Sequence, residues 1–166
     1  MIKKKSKIFI AGHKGLVGSA IYRKLKENGY TNLIIADRKN LDLTSQIDVI
    51  KFLQIKKPIF IFIAAAKVGG IYDNLKHKAD FITENLQIQT NLIHAAYKCG
   101  IKELIFLGSS CVYPKKSKQP IKEDYLLSGK LEETNDAYSV AKIAGIKMCQ
   151  SYNEQYKTKY KCLMPT

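Results

Sequence analysis

Phe9-Ile10-Ala11-Gly12-His13-Lys14-Gly15-Leu16-Val17-Gly18 decides the fold of this chain. Residues 7–11 form a short apolar run closed by Gly12, the pattern of a buried strand. From Leu16 the apolar positions fall at 16, 17, 20, 21 and 25, a helical spacing that runs to Asn28 and stops at Gly29. Between strand and helix lies a GxxGxxG loop. Its first glycine permits the tight turn, its second lets the backbone approach a pyrophosphate, and its third lets helix pack on strand. The helix start then offers amides and a positive dipole to the phosphates. Gly12, His13, Lys14, Gly15, Leu16, Val17 and Gly18 are therefore candidate dinucleotide-binding residues.

Outward from this loop the pattern keeps alternating. Residues 32–36 read as a second strand. Residues 45–56 read as a helix, with Ser45 and Asp48 placed as a capping box and Pro58 beyond its end. Residues 59–65 are apolar on both faces, as a parallel strand covered on both sides requires. A long helix over 81–99 ends at Gly100, and strand four follows at 103–107. An irregular stretch over 108–136 holds Pro114, Pro120 and Gly129. A helix over 137–156 and a strand over 160–164 complete the series. Strands alternating with helices mean crossovers, so the expectation is an α/β fold, a Rossmann-type doubly wound parallel sheet, in one domain over 1–166.

Composition narrows the partners. The net charge is +14, but the lysines are spread along the chain and only Arg23 and Arg38 are arginines. A nucleic-acid site would cluster its cations and use arginine forks, so no nucleic-acid partner is expected. A generally positive surface would still attract an anionic dinucleotide. No apolar run nears the roughly 20 residues that span a bilayer. Met1 to Lys5 mimics the basic end of a signal peptide, but the apolar run after it is too short, and a cytoplasmic protein without a membrane partner is expected. Cys99, Cys111, Cys149 and Cys162 lack close CxxC spacing, so no metal site is expected and free thiols are the default.

Strand two ends in Asp37-Arg38. An acid here suits the ribose 2′-OH of NAD, whereas an arginine suits the 2′-phosphate of NADP. Arg38 together with Lys14 supplies two cations, which favours NADP(H). Asp42 and Leu43 are placed to meet the adenine.

Tyr138-Ser139-Val140-Ala141-Lys142 puts a phenol and an ammonium at i and i+4 on one helical face. A nearby lysine lowers a tyrosine's pKa, which suits proton transfer at a carbonyl oxygen. The same spacing occurs at Tyr22/Lys26, on the glycine-loop helix, and at Tyr72/Lys76, in an expected loop. Only Tyr138 follows a strand end rich in hydroxyls, Leu107-Gly108-Ser109-Ser110-Cys111, where ligands of such sheets bind.

The glycine loop, Ser109, Tyr138 and Lys142 resemble the extended short-chain dehydrogenase/reductases. Four blocks, over 9–21, 64–71, 106–111 and 141–147, resemble more closely the GDP-L-fucose synthase family. That resemblance implies NADPH-dependent conversion of GDP-4-keto-6-deoxy-D-mannose to GDP-L-fucose by epimerisation at C3 and C5 and reduction at C4. It implies Cys111 as the epimerisation base, Tyr138 as proton donor helped by Ser109, and Lys142 tuning the tyrosine and holding the nicotinamide ribose. It also implies cofactor contacts from Ala64, Ala65, Asn85, Leu107, Gly108 and Ser110, with Pro165 and Thr166 passing over the nicotinamide. Homodimerisation through the helices over 81–99 and 137–156 is implied as well. The family's partner histidine and its sugar- and guanine-binding residues fall after Thr166, and His13, His77 and His94 do not match that histidine. Residues 1–166 alone are therefore expected to turn over little nucleotide sugar.

Overall fold

The computed structural model describes residues 2–165. Five parallel strands form one sheet: β1 (Ile8–Ala11), β2 (Leu33–Ile34), β3 (Phe60–Ile63), β4 (Glu103–Leu107) and β5 (Lys159–Leu163), in the order β2-β1-β3-β4-β5. The register is level, with Ile8, Phe60, Glu103 and Lys159 aligned across the strand starts. The chain turns back on itself between β1 and β3, and at such a switch point a crevice opens outside the strand C-termini.

The crossovers are α1 (Leu16–Glu27), α2 (Gln46–Lys56), α3 (Ile71–Lys76) with α4 (Lys78–Lys98), and α5 (Asp136–Tyr156). Strand alternation assigns the two faces. Phe9, Ile61, Ile63, Leu104 and Phe106 are buried in the core shared with α2, α4 and α5. Ile8, Ile10 and Phe60 face the other way, towards Ile21 and Leu25 of α1. That second face is only partly covered: Phe62 and Ile105 are half-buried, and Lys159, Lys161 and Leu163 are exposed.

Three elements differ from the sequence expectation. Strand two shrinks to Leu33–Ile34, because it is an edge strand paired only with β1. Residues 71–76, Tyr72 included, form a helix rather than a loop. The buried Asn74 supports its start by donating to the carbonyls of Gly69 and Gly70, at 2.9 and 3.0 Å. The long helix begins at Lys78, not 81. The capping box is half made: Asp48 N–H donates to Ser45 Oγ at 3.3 Å, but the Ser45 N–H goes to the Asp42 carbonyl.

Two tertiary ties position the long helices. A Cβ at Gly145 would sit 2.5 Å from the Phe106 ring and 3.0 Å from Gln89 Cδ, so only glycine lets α5 lie this close to β4 and α4. Gln89 in turn donates to the Ala141 carbonyl at 2.6 Å. At the far end Asn153 clasps the start of β5, donating to the Tyr160 carbonyl at 2.7 Å and accepting from the Tyr160 N–H at 2.8 Å.

Candidate active site

A cleft of about 820 Å³ runs along the C-terminal ends of the strands, within the usual volume of small-molecule sites. It begins at the glycine loop. Gly12 has φ +86°, and a Cβ there would lie 2.5 Å from the Ala65 nitrogen. A Cβ on Gly18 would lie 2.1 Å from the Gly12 carbonyl. These two glycines allow backbone to touch backbone, so Gly18 itself packs beneath the cleft. Gly15 differs: its Cβ would meet only Gly12 O, at 3.5 Å. Gly15 is the N-cap of α1, no side chain caps the helix, and no acid sits in its first turn. The α1 amides and dipole are thus left for an anion, which is what a pyrophosphate requires.

At the adenosine end the charges are already paired. Lys14 Nζ lies 2.8 Å from Asp37 Oδ1, with His13 Nε2 at 3.4 Å. The Lys14 ammonium beside Asp37 holds that carboxyl below the usual carboxylate range. Arg38 Nη1 lies 3.3 Å from Glu84, and Lys67 binds the same carboxylate at 3.1 Å. The two cations expected to stand ready for a 2′-phosphate therefore each carry a carboxylate partner. Both remain largely exposed and able to exchange it. Asp42 lines the cleft but accepts from the Thr44 hydroxyl and amide, which lower its pKa. The Leu43 carbonyl is held by Asn91 at 3.0 Å.

Ala64, Ala65, Leu107, Gly108, Ser109, Tyr138, Lys142 and Pro165 line the rest of the cleft. Thr166, expected beside Pro165, lies outside the described residues. Ser110 and Cys111 sit just behind the wall, in a 3₁₀ turn that Ser109 opens directly after β4. Cys111 Sγ donates to Ser109 Oγ at 3.1 Å.

Two expectations change. Lys142 does not bring the Tyr138 pKa down. Burial pushes the phenol up to about 12, with the Ser109 hydrogen bond opposing. The lysine cannot reverse this, because its Nζ lies 5.7 Å from the tyrosine ring centroid and donates to the Leu107 carbonyl at 2.7 Å. Its own burial lowers it to about 8. Asn85 stands outside the cleft. Its amide donates to the Lys67 and Phe81 carbonyls and accepts from the Lys67 N–H, so it braces the 64–68 loop from behind. Sequence reasoning missed Leu41, Val68, Glu84 and Ile88 on the cleft wall. Their only signal is spatial, although Val68 sits inside the 64–71 block.

Chemically, a phenol kept protonated at neutral pH is a proton donor, suited to an oxygen that gains negative charge. The buried lysine stands behind the phenol, anchored on the Leu107 carbonyl. A serine hydroxyl and a thiol within one turn offer a second proton-transfer group at the same place.

Known proteins resemble the chain throughout. It is 58% identical over 166 residues to putative GDP-L-fucose synthase 2 of Arabidopsis thaliana, covering 100% of this chain and 51% of that protein. It is 49% identical over 162 residues to GDP-L-fucose synthase of Escherichia coli (strain K12), covering 98% and 50%. Among solved structures, MlghC, GDP-mannoheptose C4 reductase from Campylobacter jejuni with NADP bound, superposes with a TM-score of 0.95 at 43% identity, covering 99% and 52%. The chain spans about half the length of the curated relatives it matches. Its residues 8–166 match the profile of the NAD dependent epimerase/dehydratase family, and the chain belongs to that family.

Proposed function

We propose that this chain is the NADP(H)-binding, proton-transferring part of a GDP-sugar epimerase-reductase of the GDP-L-fucose synthase type. The observation that carries the reading is the gathering of Ser109, Cys111, Tyr138 and Lys142 at the C-terminal end of β4, beside the glycine-loop cleft. Bound NADPH would supply a hydride. The glycine loop and α1 amides would hold its pyrophosphate, Lys14 and Arg38 its 2′-phosphate, and Ala64, Ala65 and Gly108 its flanks. Tyr138 would give its proton to the C4 oxygen, with the Lys142 cation behind it. Cys111, once its proton has left, would take a proton from the carbon beside the ketone. Asn85 would act from behind, by holding the loop that forms the cofactor's wall.

A second reading is a GDP-sugar C4 reductase that does not epimerise, favoured by the likeness to a GDP-mannoheptose C4 reductase. Cys111 favours the first reading, since reduction alone needs no base at that position. We also place the chain in the cytoplasm, as a homodimer through α4 and α5. These helices pack against each other, and α5 leaves Val140 44% exposed on its outer side.

Calorimetry of the 166-residue chain with NADPH and NADH tests the cofactor reading: NADPH binds more tightly, and binding of neither refutes it. Supplying the C-terminal half of a relative in trans, in D₂O, tests the chemistry. Deuterium appearing at both carbons flanking the ketone supports epimerisation. Reduction without deuterium uptake supports the second reading.

A further inference from the structure

The lysines that look scattered along the sequence are gathered in space. A parallel α/β sheet brings every strand start and every crossover-helix end to one side, opposite the cleft. Lys3, Lys4, Lys5 and Lys7 precede β1 on that side. Lys24 and Lys26 end α1, and Lys56 and Lys57 end α2. Lys98 closes α4 and Lys102 enters β4, while Lys157 and Lys159 lead from α5 into β5. All twelve are exposed. Only Glu27, Glu103 and Glu154 oppose them there, so this base holds +9 of the chain's net +14. The other eleven acids lie around the cleft end.

Part of this charge has a local reason, since lysines in a last helical turn complement the helix dipole. Lys3, Lys5, Lys7, Lys102 and Lys159 have no such role. Among the described residues, Lys24 alone of the twelve has a carboxylate partner, Glu27 at 3.3 Å. The base also carries exposed apolar side chains among its lysines. Ile55 is 74% and Ile59 54% exposed. A groove of about 720 Å³ between α2 and β4 is lined by Ile2, Lys57, Pro58, Ile59 and Lys102.

We propose that this base docks on a bilayer surface rich in anionic phospholipid. Lysines around exposed isoleucines match such a surface: the ammonium groups sit over phosphates while short aliphatic side chains enter the headgroup layer. A nucleic acid fits less well. Of the two arginines, Arg38 lies at the cleft end and pairs with Glu84, while Arg23, beside Lys24 on α1, reaches back to Ser19 Oγ, and a phosphodiester backbone gives exposed isoleucines nothing to bury against. Docked this way, the molecule turns its cleft away from the membrane and towards solvent.

The test is co-sedimentation of the full chain with phosphatidylcholine vesicles, with and without about one third phosphatidylglycerol. At about 0.1 M salt, binding to the anionic vesicles should exceed binding to the neutral ones at least ~10-fold, since each lysine near such a surface contributes about fivefold. Ile55→Ser with Ile59→Ser should weaken binding several-fold without altering the circular dichroism. Lys56→Gln with Lys57→Gln and Lys102→Gln should weaken it by ~10-fold or more, while Lys115→Gln with Lys116→Gln and Lys118→Gln, in the irregular segment, leaves it intact. Equal loss from both lysine triples would overturn the proposal, as would no binding to anionic vesicles. Tighter binding to duplex RNA or DNA, insensitive to the isoleucine changes, would overturn it in favour of a nucleic-acid partner.

Discussion

Cys111 Sγ donates a hydrogen bond to Ser109 Oγ across 3.1 Å, at the 3₁₀ turn that follows β4. The same serine hydroxyl, on the cleft wall with Tyr138, opposes the upward push of burial on the phenol. Ser109 thus links the thiol and the phenol, and a thiolate at Cys111 would raise Tyr138 further. In the proposed reaction this coupling has a useful direction. Tyr138 would stay protonated while Cys111 is the thiolate base, and once Cys111 has taken a proton and become a neutral thiol the phenol would give up its own proton more readily.

The glycine loop separates folding from binding. Gly12→Ala forces a side chain into a φ of +86° and against Ala65, and should cost about 2–4 kcal/mol. Gly15→Ala meets only one atom, at 3.5 Å, and should cost less than about 1 kcal/mol. Yet its methyl group would stand where a pyrophosphate approaches. Thermal denaturation should therefore spare Gly15→Ala, and calorimetry should show NADPH affinity down by ~10-fold or more. Normal NADPH binding by Gly15→Ala would remove this loop from the cofactor site.

Lys142 is destabilising where it stands. Burial lowers its pKa to about 8, so at neutral pH the fold holds a charge it disfavours. Between pH 8 and about 10.5 the unfolded chain binds a proton that the folded chain does not, and stability should rise with pH from this group. Tyr138, raised to about 12, contributes with the opposite sign: its share is complete below about pH 10 and is lost as pH climbs through 12. Lys142→Met should therefore gain about 2 kcal/mol at pH 7, after a loss of about 1 for the Leu107 carbonyl left without its donor. It should also abolish the rise between pH 8 and 10. Urea denaturation across that range checks both statements.

In the proposed binding mode, cofactor choice rests on two ion pairs, Lys14 with Asp37 and Arg38 with Glu84, that a 2′-phosphate would have to break. Arg38→Ala should weaken NADPH by ~10-fold or more and leave NADH unchanged, since only NADPH offers the group that guanidinium would bind. Asp37→Asn releases Lys14 and should strengthen NADPH. Parallel titrations with the two cofactors decide the matter, and an equal loss for both would assign Arg38 a purely structural part.

The homodimer proposal is open to a single charge. Val140→Glu places a carboxylate on the exposed side of α5, 44% accessible in the isolated chain. It should leave the monomer's stability within about 0.5 kcal/mol. An unpaired charge buried in an interface costs about 3–5 kcal/mol. Light scattering should then report a dimer for the natural chain and a monomer for the variant.

Much of this was legible in the residues. The five strands and four of the five helices follow from apolar period and from Gly and Pro punctuation, and the glycine loop could be placed because a strand precedes it and a helix follows. Helix α3 was hidden, because its start depends on Asn74 folding back on Gly69 and Gly70 rather than on any period. The direction of the Tyr138 shift was also hidden. Spacing put Lys142 on the same helical face, but burial and the competing Leu107 carbonyl lie in the third dimension. The charge on the base escaped notice for the same reason: parallel crossovers collect residues from five stretches that are far apart in sequence.

The contact of Gly145 with Phe106 has a consequence for how this chain can change over generations. The phenyl ring occupies the space that a side chain at 145 would need, and Gln89 closes the third side. A drift to alanine at 145 is therefore harmful until 106 has become smaller, and a smaller residue at 106 leaves a hole until 145 has grown. Neither path is downhill one step at a time. Positions 89, 106 and 145 should vary together or not at all among descendants of this sequence.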